Sequence, residues 1–282
     1  MSTPALGRYG VWISGRADPT PELAYHLEAL GFGAIWIGGS PANLELVESL
    51  IANTSTITVA TGIVNIWTGD PSELADSYHR VEEAHPGRVL VGVGVGHPEN
   101  QGGRALKPYA AMVDYLDVLD DRLVPAERRV LAALGPRMLE LARDRSAGAH
   151  PYLVTPSFNE GAREILGPDR LLATEQRVVR REDAEEAREL GRPSVDKPYL
   201  GLRNYVSNLK RLGYSDEDLE SPGSDRLIDD LVVYGDDAAI AARLDSHLHA
   251  GADHVAVQLI AAAGDDIRED YVRLAHALGL TD

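Results

Sequence analysis

Apolar residues in this chain come in short unbroken runs, separated by longer stretches with helical spacing. Eight runs predict strands, at residues 9–13, 34–38, 57–63, 88–94, 129–133, 150–154, 171–179 and 254–260. They do not alternate between apolar and polar, which marks strands covered on both faces, as in a parallel sheet. Helical patterns fill the gaps. Residues 21–30 carry apolar side chains at 23, 24, 27 and 30 and close on Gly31. Residues 71–83 follow Asp70, a good N-cap, and begin with Pro71. Residues 236–250 end at Gly251 and residues 266–278 at Gly279, as helix C-termini do. Strand and helix alternate over residues 1–282. That predicts one α/β domain, a (β/α)₈ TIM barrel, with a doubly wound sheet as the alternative. The longest departure is residues 181–235, between strands seven and eight. It holds a helical stretch at 197–212 and an acidic loop at 215–225. No linker-like composition sets it apart, so it reads as a helical elaboration of the barrel.

Charge and composition remove whole classes of function. Lys and Arg total 27 against 44 Asp and Glu, a net charge of −17. Such a surface repels phosphate backbones and anionic lipid, so neither nucleic acid nor membrane is an expected partner. There is no cysteine. That excludes disulfides, thiolate nucleophiles, iron–sulfur clusters and Cys-bound zinc, and it fits a cytoplasmic location. No run approaches the roughly 18 apolar residues of a membrane helix, and the N-terminus lacks the pattern of a secretory signal. The nine histidines form no metal constellation. His247 and His249 face different sides of one helix, and His26, His79 and His85 fall on or beside outer helices. No metal is expected, and no Gly-x-Ser-x-Gly elbow supports a serine hydrolase.

In a barrel of this kind, function gathers at the C-terminal ends of the strands. Three segments there are unusual. The first holds Gly92, Gly94, Val95, Gly96 and His97. It fails the dinucleotide fingerprint, because the third glycine would fall on His97 or Glu99. Its glycines predict close approach of either neighbouring backbone or a flat ligand. His97 has an unperturbed pKa near neutrality and suits acid–base work or substrate anchoring. The second segment is Leu134, Gly135, Pro136, Arg137 and Met138. A strand ends, Gly135 turns, and Pro136 takes the first helical position, which leaves N–H groups free for an anion, with Arg137 to add charge. The adjacent Thr155, Pro156 and Ser157 offer hydroxyls and a second helix start. The pair predicts either a phosphate or phosphodiester site or ordinary capping in both places. The third segment runs from Gly62 through Ile63, Val64, Asn65 and Trp67 to Asp70. Its apolar run outlasts the strand, so Asn65 and Trp67 face the mouth unless Trp67 caps the core. Trp12, Trp36, Trp67 and Tyr152 are candidates for an aromatic lining and equally for the core.

Several stretches together resemble the luciferase-like flavin and deazaflavin oxidoreductases, most closely the branch that uses coenzyme F-420, an 8-hydroxy-5-deazaflavin. They are residues 60–67 with Asp70 and Pro71, residues 86–97, 131–138, 148–155 and 251–258. The resemblance covers nearly the whole chain. It implies a barrel with a deazaflavin or flavin ring across its mouth, resting on a strand-three bulge at Gly62, Ile63 and Val64. The Gly62–Ile63 peptide would be cis, with Asn65, Val95 and Gly96 beside the ring. The phosphate tail would reach residues 134–138 and Thr155 with Pro156. Trp12, Ser14, Gly39 and Trp67 would then border the substrate. The sequence also departs from the family. The acidic pair that several members carry after strand two is replaced by Gly38, Gly39 and Ser40. A Glu of the sugar-phosphate dehydrogenases is replaced by His97, so their mechanism does not carry over. The resemblance implies an enzyme, an oxidoreductase passing hydride between coenzyme F-420 and a small organic substrate, with a homodimer as its assembly; its catalytic candidate, His97 as proton donor or substrate anchor, rests on its place at the strand end and not on the family. An FMN-dependent monooxygenase and a non-catalytic barrel subunit are the alternatives.

Overall fold

A computed structural model of the chain describes residues 3–96 and 107–281. The first half of the barrel runs β1 (Tyr9–Ser14), α1 (Pro21–Ala29), β2 (Ala34–Gly38), α2 (Glu45–Ala52) and β3 (Thr58–Thr61). It continues with β4 (Val64–Asn65), α3 (Pro71–Ala84), β5 (Val89–Gly94) and α4 (Pro108–Asp121). The second half holds β6 (Arg129–Leu131), α5 (Pro136–Arg145), β7 (Gly148–Ala149), α6 (Pro156–Leu166) and β8 (Leu171–Val179). After it come α7 (Ala184–Asp196), α8 (Arg203–Arg211), α9 (Asp216–Leu219), α10 (Asp225–Leu231) and β9 (Val232–Tyr234). The chain then returns through α11 (Asp237–His249), β10 (His254–Leu259) and α12 (Ile267–Ala277).

All described strand pairs are parallel, and the sheet closes. β10 pairs with β1 at one edge, Tyr9 opposite Val255, and with β8 at the other, His254 opposite Ala173. The ring is β1, β2, β3 with β4, β5, β6, β7, β8 and β10, a closed eight-stranded TIM barrel. β3 and β4 are one strand broken at residues 62 and 63, since β3 and β4 both pair with β5. β9 is an addition. It pairs with residues 177–179 of β8, beyond the part that β7 covers at residues 171 and 172.

The predicted helix starts hold for local reasons. Asp70 accepts the Ser72 and Glu73 N–H groups at the head of α3, and Asp236 and Asp266 do the same for α11 and α12. Helix 197–212 is a correction. The chain there leaves α7, makes a single 3₁₀ turn at Tyr199–Gly201 after a cis Lys197–Pro198 bond, and starts α8 at Arg203. β9 was likewise not foreseen, because three apolar residues beside a helix carry no strand signal of their own.

The sixth strand is the correction that matters for function. It was expected at 150–154 and lies at Gly148–Ala149. Gly148 has φ +153, and a Cβ there would fall 1.9 Å from the Leu171 carbonyl oxygen. Only glycine lets β7 come this close to β8, and Pro151, which has no N–H to donate, still accepts the Glu175 N–H of β8 at 3.1 Å. His150 and Tyr152 therefore stand past the C-terminal end of the strand, where function gathers.

The interior of the barrel is filled by one large ring among small residues. Trp36 is fully buried among Ala34, Ala60, Ala173 and Ala256. His150 stacks on it at 4.0 Å with planes 13° apart. Trp36 Nε1–H donates to His254 Nε2 at 3.0 Å, so His254 donates its Nδ1–H to the Gly7 carbonyl at 2.9 Å. A second apolar layer of Val, Leu and Ile lies between strands and outer helices. The elaboration at 181–235 buries its own cluster, including Leu209, Leu227 and Ile228, against Leu153 of the barrel.

Candidate functional site

The bulge between β3 and β4 is the centre of the site. The Gly62–Ile63 peptide is cis, and the regular strand stops at Thr61 and resumes at Val64. Three side-chain arrangements hold it there. Thr61 Oγ1 donates to the Gly92 carbonyl at 2.8 Å and accepts the Gly92 N–H at 2.7 Å. Asn65 Oδ1 accepts the Trp67 N–H at 2.9 Å, and Trp67 Nε1–H donates to the Val95 carbonyl at 2.9 Å. The glycines after β5 make the room. A Cβ on Gly92 would lie 2.0 Å from the Thr61 oxygen, and one on Gly94 2.9 Å from Ile63 Cδ1. One on Gly96 would lie 2.2 Å from Asn65 Nδ2. Close approach of neighbouring chain accounts for glycine at 92, 94 and 96.

Beneath the bulge lie two polar atoms without partners among the described residues, Trp12 Nε1 and His150 Nε2. A Cβ on Gly62 would sit 2.9 Å from the first and 3.1 Å from the second. Burial holds His150 neutral by pushing its pKa down to about 4, and its Nδ1–H donates to the Ala173 carbonyl at 2.7 Å. Its Nε2 therefore carries a lone pair, while Trp12 offers an N–H. Gly62 lets the backbone settle directly on this pair.

Above the bulge opens a cavity of about 750 Å³. Gly62, Ile63, Asn65, Val95 and Gly96 line one side, and Leu134, Gly135 and Met138 line the next. Trp12, Ser14 and Gly39 line it as well, with Trp12 next to Gly62. Of the expected site residues, Val64 points into the core, and Pro136, Arg137, Thr155, Pro156 and Trp67 do not line the cavity. Trp67 instead braces the bulge. Arg137, in the first turn of α5, lies over the Tyr109 ring at 4.5 Å. The expected catalytic His97 lies outside the described residues.

The two helix starts beside the cavity differ from those of α3, α11 and α12. α5 is capped by Gly135 and α6 by Thr155, each followed by proline, and neither cap makes a side-chain hydrogen bond. The Thr155 hydroxyl is paired with Ser157 Oγ at 2.9 Å. First-turn N–H groups are thus left for another acceptor. Arg211, from α8, reaches across and donates to the Leu134 carbonyl at 3.1 Å.

Residues 3–128 match the model of the luciferase-like monooxygenase family. Solved structures share the barrel over nearly the full length of both chains. A secondary alcohol dehydrogenase dependent on coenzyme F-420, solved with an F-420–acetone adduct, is 16% identical with a TM-score of 0.72, covering 99% of each chain. The coenzyme F-420-dependent tetrahydromethanopterin reductase of Methanopyrus kandleri is 18% identical with a TM-score of 0.69, covering 97% of this chain and 99% of its own. The oxygenating constituent of a Pseudomonas putida diketocamphane monooxygenase, solved with FMN, is 14% identical with a TM-score of 0.66, covering 98% and 97%. At these identities the likeness is one of fold.

The barrel also brings in residues that the sequence did not single out for the site. Arg16 lines the mouth after β1, and Pro198, Tyr199, Asn204 and Tyr205 of the elaboration line the cavity too. Tyr152, a candidate for the aromatic lining, does line the cavity, 5.1 Å from Trp12 and 5.5 Å from Tyr199. Its hydroxyl donates to Gln258 Oε1 at 2.8 Å and accepts from Arg177 Nη2 at 3.0 Å. No local pattern marks 198–205, since these residues reach the mouth only through the path of the elaboration. For Arg16 a signal existed, its position just past a strand. Among the described residues no group of His, Asp and Glu is placed to hold a metal, and no helix is long and apolar enough to cross a membrane.

Proposed function

We propose that the protein is an oxidoreductase that binds coenzyme F-420 in this cavity and passes hydride between it and a small organic substrate. The observation that carries the reading is the bulge at Gly62 and Ile63, which sits under a cavity of about 750 Å³ and beside two helix starts without side-chain caps. The residues fit the group. A ring without hydrogen-bonding edges on its faces needs a backbone ledge free of projecting side chains, and Gly62 has no Cβ. A phosphodiester tail needs N–H groups at a helix start, and α5 and α6 offer them in the stretches Gly135–Met138 and Thr155–Ser157, at Arg137 and at Ser157, each next to a proline (Pro136, Pro156) that has none to give. Two F-420-dependent enzymes among the structural neighbours support the choice of cofactor.

The chain's own contribution is binding, orientation and exclusion of water. Ile63, Val95, Leu134 and Met138 give the cofactor side an apolar surface, and Asn65 gives it an amide. Trp12, Ser14 and Gly39 border the substrate, with Trp67 fixing the ledge from behind. Once bound, the deazaflavin would supply the hydride chemistry. His97 is proposed as proton donor or substrate anchor on its sequence position at the end of β5, and the assembly as a homodimer. FMN remains a second reading because a fold neighbour carries it. Absorbance titration of the purified protein with F-420 and with FMN tests the proposal. Saturable binding of F-420, tighter than FMN, supports it. Tighter FMN binding transfers it to the monooxygenase reading, and binding of neither favours a non-catalytic subunit.

A further inference from the structure

The cavity has a charge pattern opposite to that of the chain around it. The net charge is −17, yet no Asp or Glu lines the cavity among the described residues. The one described lining residue with a formal charge is Arg16. It sits in the 3₁₀ turn Gly15–Ala17, directly after β1, where the Ser14 hydroxyl accepts its backbone N–H. Its guanidinium takes part in none of the ion pairs among the described residues, whereas Arg180, Arg181, Arg188 and Arg192 are all paired with aspartates.

A second positive charge stands behind the same wall. Arg177 is buried, with its guanidinium 4.7 Å from the centre of the Tyr152 ring and 5.1 Å from that of Tyr199. Both rings line the cavity. Arg177 Nε and Nη1 have no hydrogen-bond partner among the described residues. Glu175, the acid nearest in sequence, gives one oxygen to the Leu153 N–H at 3.0 Å, and burial pushes its pKa up, towards the neutral form. A guanidinium cannot shed its proton. Behind aromatic walls of low dielectric its field extends into the cavity, drawing anions and repelling cations.

We infer that the substrate half of this cavity selects an organic anion with a flat apolar body: a carboxylate at Arg16, and the body against Trp12, Tyr152 and Tyr199. The inference rests on the proposed function in one respect, the assignment of the bulge side to the cofactor and of this side to the substrate. Trp12 and Tyr152, tilted at 46°, form the corner into which a ring fits. Ser14 supplies a hydroxyl next to the carboxylate position.

The test is calorimetric titration of the cofactor-free protein at low ionic strength with phenylacetate, phenylacetamide and phenethylammonium. Phenylacetate should bind roughly tenfold tighter than the amide, as a charge-assisted hydrogen bond adds, with the ammonium weakest. Arg16→Gln, an exposed substitution that leaves the core untouched, should remove at least about fivefold of the preference for the acid and leave the amide within about twofold. Added salt should weaken the acid alone. Equal binding of acid and amide, a preference that survives Arg16→Gln, or no binding of any of the three overturns the inference. F-420 titration of the same variant separates the two claims. Arg16→Gln should leave F-420 affinity unchanged, a loss there overturns the assignment of Arg16 to the substrate, and failure of F-420 to bind the unaltered protein sinks the proposed function alone.

Discussion

Replacing Gly94 by Ala tests whether Ile63 is held where a ring must rest. Gly94 ends β5 and faces the bulge. A Cβ there would lie 2.8 Å from Ala132 Cβ and 2.9 Å from both Cγ1 and Cδ1 of Ile63. Carbon atoms settle at about 3.5–4.0 Å, so the neighbours must retreat by about 0.6–1.1 Å. Ala132 is fixed, because its methyl is attached to backbone and its N–H donates to the Val93 carbonyl at 2.9 Å. Ile63 therefore gives way, towards the cavity. Overpacking of this kind costs about 1–3 kcal/mol, which lowers the melting temperature of a chain this size by several degrees without unfolding it. The ledge under the ring moves by a sizeable part of a van der Waals radius, and F-420 affinity should fall by about tenfold or more. Thermal melts followed by circular dichroism and absorbance titration with F-420 read the two effects separately. A lowered melting temperature with unchanged F-420 affinity would refute the reasoning, since Ile63 would then have moved without disturbing the ring.

Further outcomes follow from other contacts. Arg137→Ala should change F-420 affinity by less than about twofold, because its guanidinium is spent on Tyr109, whereas Arg211→Ala should weaken it several-fold by freeing the Leu134 carbonyl; the same titration checks both. His150, His247 and His254 are each held near a pKa of about 4 by burial, below the ordinary 6.5. Their contribution is complete above pH 6.5 and is lost as pH falls towards 4, because the unfolded chain takes up protons that the folded chain refuses; each histidine contributes about 3 kcal/mol over that interval, so urea midpoints should drop steeply between pH 6.5 and 4.5, and a flat profile contradicts neutral burial. His97→Ala should lower turnover by 10²–10⁴-fold while leaving F-420 affinity within a few-fold, and unaltered turnover on the true substrate would reduce His97 to a wall residue.

The strands with four or more consecutive apolar residues were legible because both their faces are buried, and the alternation of strand and helix pointed to a barrel with a doubly wound sheet as the alternative. The bulge was legible only through the resemblance; periodicity read residues 57–63 as one run, and nothing local marks the break at Gly62. The sixth strand was misplaced because the apolar run at 150–154 packs against the core and the elaboration without forming a ladder. Its two true ladder residues, Gly148 and Ala149, carry no strand propensity. That slip hid His150 from the site. Arg137 illustrates a different limit: a helix start is visible in sequence, but the direction of a long side chain depends on which ring lies nearby, here Tyr109 of α4. Tyr199, Asn204 and Tyr205 reach the mouth through long-range packing of 181–235, which no window of sequence encodes.

A crystal structure of the protein with F-420 bound measures the central claim directly. The account predicts the deazaflavin ring in van der Waals contact with the backbone of Gly62 and Ile63, and the tail phosphate within hydrogen-bond distance of N–H groups at the start of α5. A ring bound elsewhere in the cavity, or a phosphate away from both α5 and α6, would contradict it.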